Sequence, residues 1–265
     1  MNARAFLIRG LLAGLLAGLV TFAVAYVVGE PPVDQAIAVE EAGEAPAALA
    51  DDHHTHGEEA VAGHSHGEDA AVSRQDQSTW GLLTGTVTIA VTVGGILALV
   101  AAGAMGRMGP LSPAVSTTLV GALGYVSVAV VPFLKYPATP PAVGDGQTIG
   151  QRTVLYFVFL LISVTAVAAC ALLAGKLSTF IGVHNATLVG AGSYLVTVVL
   201  AALLMPTVNE VGDFPADVLW DFRIASLLTL TTLWATVTIA LSVLISRLHG
   251  QHKAVQARRE FAASL

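Results

Sequence analysis

The chain has 265 residues, 55% hydrophobic and 11% charged, with a formal net charge of −6. Soluble domains carry about 25% charged residues, so this composition excludes a water-soluble globule as the main body and points to the bilayer. Its one cysteine, Cys170, excludes an internal disulfide and leaves the redox compartment undetermined.

Six apolar runs are long enough to cross a membrane, near 6–28, 80–104, 114–134, 153–175, 184–205 and 223–246. A crossing takes about 20 residues. Backbone groups in lipid must be satisfied within the segment, so each run is predicted to be helical. The runs are too long and continuous for barrel strands of about 10 alternating residues. The expectation is an all-α polytopic transmembrane bundle with four parts: a first span (1–28), a long acidic segment (29–79), a five-helix region (80–246) and a basic tail (247–265).

The first run places Gly10, Gly14 and Gly18 on one helical face, with Ala13 and Ala17 alongside. Small residues at this spacing let backbones approach closely, so a partner helix should pack there, from this chain or from another subunit. A homo-oligomer is one expectation of that face. Arg4 and Arg9 ahead of an apolar core and Ala23-Val24-Ala25 also fit a cleavable signal peptide, which would leave five spans.

Residues 29–79 begin Gly29-Glu30-Pro31-Pro32-Val33-Asp34, and Asp34 is placed to cap a short helix through Glu41. From 43 to 76 large apolar residues almost vanish, and the stretch is expected to stay disordered unless metal binds. Within it lie Asp51-Asp52-His53-His54-Thr55-His56-Gly57-Glu58-Glu59 and His64-Ser65-His66-Gly67-Glu68-Asp69. Imidazole suits cobalt, nickel, zinc and copper, and His-rich tracts are a compositional metal signal. Binding by His53, His54, His56, His64 and His66 would weaken below about pH 6, where protonated imidazole cannot coordinate. The alternative is a solvated, pH-sensitive linker.

Two further loops, from Pro132 to Asp145 and from Pro206 to Asp217, are likewise acidic and proline-containing. The spans themselves show no clear repeat. With the N-terminus inside, eight of the twelve Lys and Arg residues fall on the inner side, as the positive-inside rule asks. Seventeen of the eighteen acids then fall outside, leaving only Glu260 within. Such a surface attracts cations. Glu30, Glu210 and Asp213 are the candidates there for accepting a cation, with Arg152 and Arg223 available to pair with Asp145 or Asp221. The competing reading is ordinary capping and ion pairing at helix ends.

No phosphate-binding G-x-x-x-x-G-K-[ST] and no H-E-x-x-H occurs, so neither ATP hydrolysis by a P-loop nor zincin chemistry is supported. No catalytic residue is expected. Between the terminal turns of the spans there is no Asp, Glu, Lys or Arg. Charges at that depth usually mark ion routes. A route here would use hydroxyls, Asn, carbonyls, Cys170 or Met205, or be completed by another chain. For Cys170 a small buried apolar role is the simpler reading.

Four stretches stand out: Arg9-Gly10-Leu11-Leu12-Ala13-Gly14 leading to Gly29-Glu30-Pro31-Pro32-Val33-Asp34, Pro132-Phe133-Leu134-Lys135-Tyr136-Pro137, Gly144-Asp145 with Ile149-Gly150-Gln151-Arg152-Thr153, and Pro206 through Arg223. Together they resemble the CbtA family of probable cobalt transporter subunits. The resemblance implies a five- or six-span protein of the prokaryotic inner membrane that moves cobalt inward for cobalamin synthesis, with a small single-span CbtB-type partner. It brings no established ligand residues. The metal is then substrate rather than a permanently bound cofactor, and nucleic acid is not among the expected partners.

Overall fold

A computed structural model describes residues 3–50, 73–109 and 111–264. All of its regular structure there is helical. Six helices are long and apolar enough to cross a membrane, which makes the chain a multi-pass membrane protein. The five histidines from His53 to His66 lie outside the described residues.

The first span, Ala3–Val24 (α1), does not end where its apolar run ends. It passes through a π turn at Ala25–Gly29 into Glu30–Ala50 (α2). The cause is Pro31 and Pro32, which bring no N–H to the ladder. The turn just before them widens, and Glu30 donates its N–H to Ala25, five residues back. This corrects the sequence reading of the segment. Asp34 lies inside a helix rather than capping one, and the helix runs on to Ala50, past the predicted start of disorder at 43. Ala42, Ala45, Ala47, Ala48 and Ala50 are strong helix formers, and their propensity outweighs the lack of large apolar residues.

The second span starts earlier than its apolar run, at Arg74–Asp76 (α3), where Ser73 Oγ accepts the Asp76 N–H at 3.1 Å. A π turn at Gln77–Gly81 leads into Leu82–Ala104 (α4). The third span repeats the proline device of the first. Pro113–Gly124 (α5) passes through a π turn at Tyr125–Val130 into Val131–Lys135 (α6), with Pro132 just beyond the turn. Ile149–Ile181 (α7) and Val183–Leu204 (α8) form a hairpin around Gly182, whose φ of 79° suits glycine. The last helix, Ala216–Ala263 (α9), is 48 residues long. At 1.5 Å per residue it extends about 72 Å, far beyond a hydrocarbon core of about 30 Å. The basic tail is therefore a helical extension of the sixth span.

The glycine stripe of α1 finds its partner within the chain. A Cβ added at Gly10 would sit 2.3 Å from the Gly94 carbonyl oxygen, one at Gly14 2.4 Å from the Ala90 carbonyl oxygen, and one at Gly18 2.6 Å from the Val87 Cα. The two backbones touch, which lipid-embedded helices need because they gain no hydrophobic drive from each other. Helix α9 packs on α1 and α5, with Thr238 over Gly121 and Trp234 over Gly124. Phe6, Leu97, Trp234, Val237, Leu241 and Ile245 fill the spaces between these four helices. Since α1 supplies buried Phe6, Ala13 and Ala17, cleaving it as a leader would uncover α4 and α9.

The α7–α8 hairpin stands at the edge of this core. Only 17% and 11% of its two membrane windows are buried, against 33% for each of the other four. Helix α8 lies on α7, with Gly190 against the Cys170 carbonyl and Ala174. Helix α7 in turn meets the core at the Tyr125–Val130 turn and α6. Six spans put both termini at one end of the bundle, here the terminal face. The opposite end is the acidic face.

Candidate metal-entry face

On the acidic face, helical spacing brings Glu30 and Asp34 onto one side of α2. Both reach the same guanidinium, that of Arg74, forty or more residues along the chain. Arg74 Nη2 binds Glu30 Oε2, and it donates to Asp34 Oδ1 at 2.8 Å while Nε donates to the same oxygen at 3.2 Å. The Glu30 side chain retains 15% of its exposure, and Arg74 is its ion-pair partner. Arg74 is the only Lys or Arg between Gly29 and Thr79. It joins the first span to the second at the far end of the histidine segment.

Glu210 is engaged in a different way. Its Oε2 accepts from the Asp145 N–H at 3.1 Å and the Thr148 hydroxyl at 2.9 Å, and lies 3.4 Å from Arg152 Nε. It therefore satisfies donors at the start of α7 from a loop that follows α8. The expected pairings of the two arginines change accordingly. Arg152 pairs with Glu210 and donates to the Asp145 backbone carbonyl at 3.1 Å, not to its carboxylate. Arg223 Nε donates to the Ala138 carbonyl at 3.4 Å. Asp213, in the turn after Gly212, is exposed. Glu30 and Glu210 thus each serve an arginine, and among the described residues no three His, Cys, Asp or Glu side chains come together to hold one metal ion.

Further ties fix the loops. Lys135 Nζ donates to the Met205 carbonyl at 3.1 Å and to Thr207 Oγ1 at 3.3 Å, and the Tyr136 hydroxyl donates to the Pro206 carbonyl at 2.8 Å. Burial raises the Tyr136 pKa and keeps that donor protonated. Two shallow clefts flank the contact of the first π turn with α9. One, about 260 Å³, is lined by Gly29, Glu30, Leu82, Ser226 and Thr229 among others. The other, about 270 Å³, holds Gln35 and Asp221 beside Pro31 and Pro32. One helical turn below Ala25 of the first cleft, the Thr21 hydroxyl is buried without a hydrogen-bond partner. Threonines elsewhere, such as Thr86, Thr92 and Thr229, donate to the carbonyl four residues back.

Deeper in the bundle the polar groups are hydroxyls. In the π register the Ser127 carbonyl would meet the nitrogen of Pro132, which has no hydrogen, while the Val131 N–H goes to Val126. Fully buried Ser163 of α7 donates to that carbonyl at 2.8 Å and shares a 2.8 Å hydrogen bond with the Tyr194 hydroxyl of α8. Tyr125 and Thr231 join the Tyr125–Val130 turn to α9 in the same way at 2.6 Å. Sequence reasoning missed these pairs. The signals for two of them were Pro132 inside an otherwise continuous span, and Arg74 as a solitary base among acids.

The model of one protein family, described as probable cobalt transporter subunit (CbtA), matches residues 3–246. No curated protein and no solved structure matches the chain. The match begins with α1, takes in all three π turns and the hairpin, and stops within α9. With its family model covering all six spans, the chain belongs to the CbtA family of probable cobalt transporter subunits.

Proposed function

We propose that the protein is the membrane-spanning subunit of an uptake system for cobalt in the prokaryotic inner membrane. The acidic face looks outward, and the N- and C-termini lie in the cytoplasm. The observation that carries the reading is the family match across the whole six-span bundle, together with the segregation of seventeen of eighteen acids to one end. The histidines of residues 53–66 gather metal from dilute solution, and their neighbouring carboxylates raise its local concentration. Glu30, Glu210 and Asp213 form the next tier of negative charge. The cleft beside Glu30, Ser226 and Thr229 is the entrance between the helices. A membrane potential supplies roughly 4.6 kcal/mol for a divalent ion moving inward through 100 mV. A small single-span CbtB-type subunit completes the assembly, and the metal delivered supports cobalamin synthesis. No step calls for catalysis.

The absence of charge between the terminal turns of the spans favours a second reading, a metal-binding accessory protein without an ion route of its own. Radioactive cobalt uptake into vesicles separates the two, measured with this chain alone and with its partner. Uptake above background in either preparation supports transport, and background rates in both overturn it. Deleting residues 51–69 should slow uptake at limiting cobalt and leave the saturated rate unchanged. Equal rates at limiting cobalt would reduce the segment to a tether.

A further inference from the structure

Among the described residues, the polar ties of the α7–α8 hairpin to the other helices all lie between the acidic face and the middle of the bundle. Lys135 and Tyr136 hold the chain just after α8, at Met205, Pro206 and Thr207. Ser163 holds the Ser127 carbonyl. The Phe159 ring stands edge-on to Tyr136, with centroids 6.0 Å apart. The buried residues of α7 are Phe159, Ser163 and Ala166, so burial stops near the middle of the helix. Beyond that point, among the described residues, the hairpin's hydrogen bonds stay within it. Ser178, Thr179, Asn185 and Thr187 each donate to a carbonyl of their own chain three or four residues back.

The other four spans have no such freedom. A Cβ at Gly10, Gly14, Gly94, Gly121 or Gly124 would lie under 3.0 Å from a neighbouring helix, so those helices have nowhere to slide. The hairpin meets this block at the Tyr125–Val130 turn, where the ladder is interrupted and one serine replaces the missing proton donor. Interrupted turns of this kind concentrate at functional sites and bends.

We propose that the α7–α8 hairpin is a moving arm. It pivots near Ser163 and the Tyr125–Val130 turn, is pinned at the acidic face by Lys135 and Tyr136, and swings its Gly182 end against a rigid core of α1, α4, α5 and α9. The inference rests on the transport reading for its purpose, since a swing at the terminal face would expose and cover the inner end of a route. Its geometry stands without that reading.

Distance measurements between spin labels test it, on the full chain in lipid nanodiscs with Cys170→Ser as background. Arg107→Cys with Thr179→Cys spans core to hairpin at the terminal face. Gln75→Cys with Gln147→Cys does so at the acidic face. All four positions are exposed. The terminal-face pair should give a distance distribution at least about twice as wide as the acidic-face pair, as expected for an element hinged at one end. Adding Ser163→Ala should widen the terminal-face pair further and leave the other unchanged. Equal widths for the two pairs would overturn the proposal. So would a terminal-face distribution that does not respond to Ser163→Ala. Cobalt uptake by the same proteins is read separately. A swinging hairpin without uptake defeats the transport reading alone, and uptake with a rigid hairpin defeats this inference alone.

Discussion

Adding one methyl group at Gly14 tests the packing argument directly. In Gly14→Ala the new Cβ meets the Ala90 carbonyl oxygen at 2.4 Å and the Val91 Cα at 2.6 Å, where ordinary contact begins at 3.4 Å. Both obstacles are backbone atoms, so no side chain can turn aside. The helices α1 and α4 must part by about 1 Å, and attraction falls by a quarter to a half when close contacts open by that much. Overpacking of this kind typically costs about 1–3 kcal/mol. Gly85→Ala, on α4 but with nothing near its added Cβ, is the control. It should be neutral or slightly stabilising, because alanine is the better helix former. Gly10→Ala should resemble Gly14→Ala, and the double variant should cost less than the sum, because the first separation relieves the second. Unfolding free energies in mixed micelles measure all four. A Gly14→Ala protein as stable as wild type, or a Gly85→Ala protein equally damaged, would refute the close contact of α1 with α4.

Two other contacts make separate predictions. Ser163→Ala removes the donor to the Ser127 carbonyl and should cost about 1–2 kcal/mol, more than Tyr194→Phe, which leaves that donor in place; the same unfolding assay ranks them, and the reverse order would count against the proline-freed carbonyl. Glu210→Ala strips an acceptor from the Asp145 N–H and Thr148, so in a double-mutant cycle Glu210→Ala and Thr148→Val should be non-additive by at least about 0.5 kcal/mol. Additive losses, with cobalt binding reduced in the Glu210 variant, would instead make Glu210 a ligand.

The number of spans and the close approach along α1 were legible because both follow from local pattern: apolar length in one case, glycines four residues apart in the other. The identity of the partner was not legible. Nothing in Gly10, Gly14 and Gly18 says that Gly94 and Ala90 of the next span, rather than another subunit, lie opposite. The ends of the spans were misjudged where proline and alanine disagreed with hydropathy. A run of apolar residues reports where lipid contact ends, whereas the helix itself continues as long as its ladder can be repaired. At Pro31 and Pro32 a π turn makes that repair, and alanines then carry α2 to Ala50. For the candidate site, sequence put Glu30, Glu210 and Arg152 at one face. Which arginine served which acid depended on how α2 and the loop after α8 approach their neighbours, a tertiary matter that one-dimensional spacing does not contain.

The pairing changes what Glu30 can do with cobalt. Arg74 already occupies the position a cation would take between Glu30 and Asp34. A divalent ion 4 Å from that guanidinium would be repelled by roughly 8 kcal/mol at an effective dielectric of about 20. Metal and arginine would therefore exclude each other, and if Glu30 takes cobalt, as proposed, it can do so only as Arg74 leaves. Two measurements on Arg74→Gln should then move in opposite directions. Folding stability should fall by about 1 kcal/mol, the order expected for a partly exposed ion pair. Cobalt affinity at this face should rise, because the competitor is gone and both carboxylates remain. Isothermal titration of the purified protein with residues 51–69 deleted isolates this face from the histidines. A lower affinity alongside the lower stability would mean that Arg74 builds the site rather than guards it. An unchanged affinity would remove Glu30 from the path of the metal and leave the pair as a strut between the first two spans.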